Sequence, residues 1–284
     1  MRKAIIENTT VFDLPSEVVG DNFEITIMSP DVDSDEPLPA VYLSDANNML
    51  GTACDAVNNL MFGGEIPPIL LVGVGYPVDG NFSEFIRLRT RDFSHSRDDF
   101  QASSMAEYAG FEANDLACGG APKFLQFLTT ELREFVESRF ACGSANTFVG
   151  NSMGGLFGTY ALLNQPQHFQ NYILGSPWYS WGYPFIFKQE EAYARSHKDL
   201  DARVYMAVGA KEHLIYPEMP EPLKQMFGTA DTEGLVREMF TKIQKRNYPN
   251  LSFTGEVLDE ETHFSIIGRL LSKGLREIFA KKPS

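Results

Sequence analysis

Cysteine is scarce in this chain. Cys54, Cys118 and Cys142 are scattered and odd in number. They form no C-x-x-C pair and no Cys/His spacing of the kind that holds zinc, so neither a disulfide framework nor a structural metal underlies the fold. Buried, reduced thiols are the expected state. Long apolar runs are missing too: none approaches the ~18 residues that a membrane span needs. No extended apolar segment follows Met1-Arg2-Lys3 as it would in a secretory signal. Cytoplasmic residence is the resulting expectation. Basic residues are the minority, with 24 Lys and Arg against 38 Asp and Glu and a net charge of -14. Lys242-Ile243-Gln244-Lys245-Arg246 reads as a solvated helix face, so no basic footprint for nucleic acid is present. The acidic stretch Asp31 to Pro37 lacks the glycine and distal glutamate of a calcium loop and reads as a solvated turn.

What remains is a 284-residue chain, 43% hydrophobic and 22% charged, of a size and composition suited to one globular domain over residues 1–284. Phe23 to Met28 alternates apolar and polar residues, the pattern of a half-buried antiparallel strand, with Val11 to Pro15 before it. Continuous apolar runs then appear at Ala40–Leu43, Pro68–Gly75, Phe169–Ser176 and Arg203–Gly209, with a last strand at Leu251–Val257. Helical periodicity marks Thr52–Met61, Ala121–Phe140, Thr232–Arg246 and Ile266–Ala280. Tyr76 to about Asp115 reads as a long polar, arginine-rich loop, functional or partly helical. Antiparallel strands followed by strand–helix alternation predict an α/β fold with a mostly parallel central sheet and helices on both faces.

One stretch carries chemistry. Thr147-Phe148-Val149 enters Gly150-Asn151-Ser152-Met153-Gly154 and leaves as a helical pattern through Leu156, Tyr160, Leu162 and Leu163. This is the strand–turn–helix setting of a nucleophile elbow, where glycines let strand and helix approach closely around a strained serine. A serine so placed needs a general base, and in this topology the order is serine, acid, histidine. Of five histidines, His263 follows the last strand and precedes the last helix, where it can reach back to the sheet edge. Glu212, in the loop after the preceding strand, is the candidate acid, with Glu218, Asp231 and Asp259 as rivals. The backbone N–H groups of Met153 and of Ala46, after the third strand, are the candidate oxyanion donors. The aromatic cluster from Trp178 to Phe187 offers either a pocket lining or core filling, with Trp178 the best pocket candidate. Asn151, beside the serine, joins Trp178 as a candidate substrate contact. Gly73-Val74-Gly75 lacks the third glycine and ribose-binding acid of a dinucleotide site, so no cofactor is expected.

Seven segments occur in order: Tyr42-Leu43-Ser44-Asp45-Ala46-Asn47, Val72-Gly73-Val74-Gly75-Tyr76-Pro77, Arg89-Thr90-Arg91-Asp92-Phe93, Gly120-Ala121-Pro122-Lys123-Phe124, Gly150 to Gly155, Gly175-Ser176-Pro177-Trp178 and Thr262-His263-Phe264-Ser265. From about Phe23 to the last helix the chain resembles the esterase family of α/β-hydrolases that includes enterobactin-type siderophore esterases, S-formylglutathione hydrolase, and feruloyl and acetylxylan esterases. The resemblance implies an α/β-hydrolase fold and a metal-free serine esterase with Ser152 as nucleophile and His263 as base, acting on a small-molecule ester. It implies that Arg89 lies near the substrate, against the alternative of an ion pair with Asp92 or a loop-holding role. Some siderophore-esterase relatives work with a Ser–His dyad, which leaves the acid open. Where many relatives read Asp-Gly-Asn, this chain has Asp45-Ala46-Asn47, a change expected to narrow the site. The same acyl-enzyme permits acyl transfer, a catalytically silent binding module is the rival class, and a homodimer is left open.

Overall fold

The structure is a computed structural model that describes residues 6–31 and 36–280; most of the acidic turn read between Asp31 and Pro37 lies outside them. The chain runs β1 (Thr9–Ser16), β2 (Asp21–Met28), β3 (Leu38–Leu43), α1 (Ala46–Phe62), β4 (Leu70–Gly75), α2 (Phe82–Phe93), α3 (Asp99–Ala109), α4 (Ala121–Thr129), α5 (Glu131–Glu137), β5 (Cys142–Asn151) and α6 (Met153–Asn164). It continues through β6 (Asn171–Gly175), α7 (Phe185–Ser196), β7 (Ala202–Gly209), α8 (Glu221–Thr229), α9 (Thr232–Arg246), β8 (Leu251–Leu258) and α10 (Ile266–Phe279).

Among the described residues, eight strands join one sheet in the order β1-β2-β4-β3-β5-β6-β7-β8. β2 pairs antiparallel with both β1 and β4, and every other pairing is parallel. The central strands carry the continuous apolar runs because both their faces are covered. Val41, Leu43, Leu71, Val149 and Ile173 point to the face covered by α1 and α10, while Tyr42, Val72, Phe148, Tyr172 and Leu174 face α2, α4, α6 and α9. This is the α/β-hydrolase architecture, with antiparallel strands at the amino-terminal edge. β3 and β5 are neighbours whose following helices lie on opposite faces, so a crevice opens where the chain diverges at their carboxyl ends.

Local chemistry explains where the helices depart from expectation. The stretch after Tyr76 is largely helical rather than loop. Asn81 caps α2 by accepting from the Glu84 N–H at 3.2 Å, and Asp98 caps α3 by accepting from the Gln101 N–H at 3.1 Å. α1 begins at Ala46, directly after β3, rather than at Thr52. The helix expected from Ala121 to Phe140 breaks at Thr130, whose backbone leaves helical geometry at φ -121° and ψ -83°. There the Thr129 and Thr130 hydroxyls donate back to the carbonyls of Leu125 and Gln126 at 2.8 and 2.7 Å, the back-bonding that bends helices. α7 and α8 have no counterpart among the sequence expectations.

Between α2 and α3, His95 stacks on Phe185 with ring centroids 3.8 Å apart, and its Nδ1 lies 2.8 Å from Ser96 Oγ. Its Nε2 is buried without a hydrogen-bond partner among the described residues. Burial pushes the imidazole down to about 4, against an unfolded value of about 6.5. The unfolded chain therefore binds the extra proton between these values, and stability falls as pH drops through that window while remaining intact above it. Replacing His95 by Phe, which keeps the stack, is expected to flatten the acid limb of stability by up to one proton; urea midpoints measured from pH 7 to pH 4 for both proteins check this.

Candidate active site

The carboxyl end of β5 turns sharply into α6 at Ser152, whose φ of 59° and ψ of -121° lie outside the regions a side chain favours. Backbone bonds on both sides hold it there. The Ser152 N–H donates to Gly175 O at 2.9 Å, and its carbonyl accepts from Leu156 and Trp178 N–H groups at 2.9 and 3.0 Å. The turn admits no side chain at its flanks: a Cβ on Gly150 would stand 2.4 Å from Gly154 O, and one on Gly154 would stand 2.6 Å from Ser44 Oγ.

His263 comes from the loop between β8 and α10. Its Nε2 lies 2.8 Å from Ser152 Oγ and its Nδ1 lies 2.7 Å from Glu212 Oε2. The ring stands edge-on in an aromatic slot, 4.9 Å from Phe227 and 5.2 Å from Trp178. Glu212 follows β7, and its other oxygen accepts from Ser176 Oγ at 2.5 Å and from the Gly209 N–H at 3.2 Å. Burial pushes this carboxyl's pKa up, but His263, the Ser176 hydroxyl and the Gly209 N–H outweigh it, and the net effect is to lower it. The supporting turns are bound together: Ala210 N–H donates to Leu258 O at 3.0 Å and Lys211 N–H to Glu261 O at 2.9 Å. The rival acids lie elsewhere, Asp231 capping α9 through the Gly234 N–H at 3.0 Å and Glu218 and Asp259 exposed.

Ala46 and Met153 are the first residues of α1 and α6, positions whose N–H groups have no partner within their own helix. The segment carrying Ala46 is anchored on both sides. Asp45, in the left-handed region at φ 54°, accepts from Arg89 Nε at 2.8 Å and Nη2 at 2.7 Å. Asn47 Nδ2 donates to Tyr76 O and its Oδ1 accepts from the Tyr76 N–H, each at 2.8 Å. Two expectations change here. The Ala46 methyl faces Gly73 on β4, where an added Cβ would come within 3.1 Å of it, and Ala46 is not part of the cavity wall; the alanine therefore does not narrow the site. Arg89 does not pair with Asp92, which is held instead by Arg91 at 2.7 and 2.9 Å and by the Tyr76 hydroxyl at 3.1 Å.

A cavity of about 190 Å³ opens in front of Ser152. Arg89, Asn151 and Trp178 all line it, so the three candidate substrate contacts do converge. The Arg89 guanidinium, however, is taken up by Asp45, and the Trp178 Nε1–H donates to Gln101 Oε1 behind the wall. Tyr179 and Trp181 are buried in the core instead. Most of the apolar wall comes from residues that sequence reading did not single out, including Phe82 and Phe85 on α2, Met226 and Phe227 on α8, and Phe264 beside His263. Only Phe264 carried a usable signal, its adjacency to the histidine.

A family profile described as "Putative esterase" matches residues 16–249. The chain is 27% identical over 252 residues to the ferri-bacillibactin esterase BesA of Bacillus subtilis, covering 86% of this chain and 79% of the relative. It is likewise 27% identical to the siderophore enterobactin esterase of Emericella nidulans, covering 83% of this chain and 80% of that one. Among solved structures, the BES protein from Bacillus cereus superposes with a TM-score of 0.75 at 26% identity, covering 99% of both chains. With more than half of its length matched, the chain belongs to this esterase family of carboxylic ester hydrolases.

Proposed function

We propose that this protein is a serine esterase that cleaves a bulky, siderophore-type ester through an acyl-enzyme, with Ser152 as nucleophile, His263 as general base and Glu212 as the acid behind it. The observation that carries the reading is the unbroken run of hydrogen bonds from Ser152 Oγ through His263 to Glu212, at 2.8 and 2.7 Å. In this mechanism His263 Nε2 takes the Ser152 proton as Oγ attacks the ester carbonyl. Glu212 holds Nδ1–H and stabilises the imidazolium that forms. The tetrahedral oxyanion is received by the N–H groups of Ala46 and Met153, at the positive ends of two helices. His263 then returns the proton to the leaving alkoxide, and a water activated by the same imidazole releases the acid. The named siderophore esterases among the relatives support the substrate class.

Ser152→Ala is expected to abolish hydrolysis of p-nitrophenyl esters while leaving the circular dichroism spectrum unchanged; retained turnover would sink the assignment. Glu212→Gln keeps the shape but removes the charge that stabilises imidazolium, and should lower kcat by about 10²–10⁴-fold with little change in KM. If kcat stays within a small factor of wild type, the site works as a dyad.

Arg89 acts in this scheme on the Ala46 segment through Asp45. Arg89→Gln leaves the Asp45 carboxylate buried and unpaired, a change that costs about 3–5 kcal/mol of stability in comparable pairs. It should lower the melting temperature and reduce kcat. Arg89→Lys should restore little, because an ammonium cannot reproduce the two-pronged geometry. Melting curves and steady-state kinetics on the two variants test this; normal kcat in Arg89→Gln would remove the residue from the mechanism.

A further inference from the structure

Asn151 precedes the candidate nucleophile and is 7% exposed, yet its Oδ1 is buried without a hydrogen-bond partner among the described residues. That oxygen lies against Gly175, where an added Cβ would stand 2.4 Å from it and 2.3 Å from Leu270 Cδ2 on α10. The amide is therefore packed on the α10 side of the sheet edge, its carbonyl turned to the end of β6. Its NH2 group lies at the opposite end of the planar amide and is left to the cavity, which Asn151 lines. Buried polar groups ordinarily have partners, and one without calls for a reason.

The cavity has two sides. Met105 on α3 and Met226 on α8 pack with the apolar cluster on one face of the sheet, Met49 on α1 and Ile267 on α10 with the cluster on the other. Asn151 and Asn48, the neighbour of Met49, bring two neutral amides to the α1–α10 side, while Tyr108 brings a phenol to the α3 side. Arg89 is already engaged by Asp45 at 2.8 and 2.7 Å. Recognition beside Ser152 thus falls to neutral donors. An amide N–H serves a carbonyl oxygen and a phenolate oxygen alike, the charged acceptor forming the stronger bond.

Resting on the ester-hydrolase reading above, we infer that Asn151 is a specificity-determining residue. Its Nδ2–H donates to an acceptor oxygen, a carbonyl or a phenolate, that the substrate carries a few atoms from the scissile ester. Gly175 and Leu270 hold the amide in place for this contact. A substrate with the matching oxygen completes the hydrogen bonding of the site. One with a methylene at that position displaces water and leaves the donor unpaired, which costs more than the bond itself is worth in water.

Ester pairs that differ by C=O in place of CH2 test this. On the acyl side they are the 4-nitrophenyl esters of 4-oxopentanoate, 5-oxohexanoate and 6-oxoheptanoate against pentanoate, hexanoate and heptanoate. On the alcohol side the pair is 4-oxopentyl and pentyl acetate. Each kcat/KM is divided by the rate constant of the same ester with hydroxide, which removes intrinsic reactivity. In the pair whose spacing fits, the ketone should be preferred by about 3- to 10-fold, the worth of one neutral hydrogen bond. Asn151→Leu should bring that ratio close to one. Asn151→Asp, which exchanges the donor for an acceptor of the same shape, should bring it below one, and it carries the test where Asn151→Leu fails to fold. A merely structural role would lower ketone and parent alike and leave the ratio unchanged. Wild-type ratios near one in every pair would overturn the inference, as would a preference that survives both Asn151 variants and falls in Tyr108→Phe. Turnover of the parent esters that persists in Ser152→Ala would instead overturn the esterase reading, and failure to cleave any of the esters would overturn both.

Discussion

The structure depends on how closely three backbones meet at the carboxyl edge of the sheet. Ser152 can hold its unfavourable backbone conformation because Gly175 and Trp178 bind its peptide groups from one side, while Gly150 and Gly154 leave no Cβ in the way. Ser44 completes the junction, its N–H donating to Val149 O at 3.0 Å and tying the end of β3 to that of β5. This junction puts the starts of α1 and α6 side by side although the two helices cover opposite faces of the sheet. Strain at one residue is thus balanced by hydrogen bonds and packing drawn from three strands.

Electrostatics around that junction follow one rule: each buried charge meets a specific partner. Glu212 faces His263, Ser176 and the Gly209 N–H; Asp45 faces Arg89; Asp92 faces Arg91 and Tyr76. In a poorly solvated site such pairs hold their geometry, because opening one leaves a charge without water or partner. The same pairing takes up Arg89, the one Lys or Arg among the described residues that line the cavity.

Much of this was legible in the residues. Strand–helix alternation, the elbow pattern and the seven ordered motifs pointed to the architecture and to Ser152 and His263 as candidates. Other features were not legible, for identifiable reasons. α2 hides in a polar, arginine-rich stretch because Arg89 and Arg91 are used inward, on Asp45, Asp92 and Asp21, and α3 hides because small and polar residues, Ala102, Ser103, Ser104 and Ala106, stand where a strong apolar stripe would mark a helix. The break at Thr130 comes from side-chain hydrogen bonds that periodicity does not register. Arg89 and Asp92 lie close in sequence, yet the partner of Arg89 is Asp45, 44 positions away.

By itself the sequence determined the strands, from apolar runs; the elbow, from glycines around a serine; and the order of serine, acid and histidine along the chain. These are local or serial properties, readable wherever backbone geometry demands a particular residue type. Only the tertiary structure decided which acid reaches His263, where the Ala46 methyl points, which carboxylate takes Arg89, and that Phe82, Phe227 and Phe264 wall the cavity. Those outcomes depend on side chains far apart in sequence meeting at one end of the sheet. Their distances are set by strand order and loop packing, neither of which leaves a mark on any single segment.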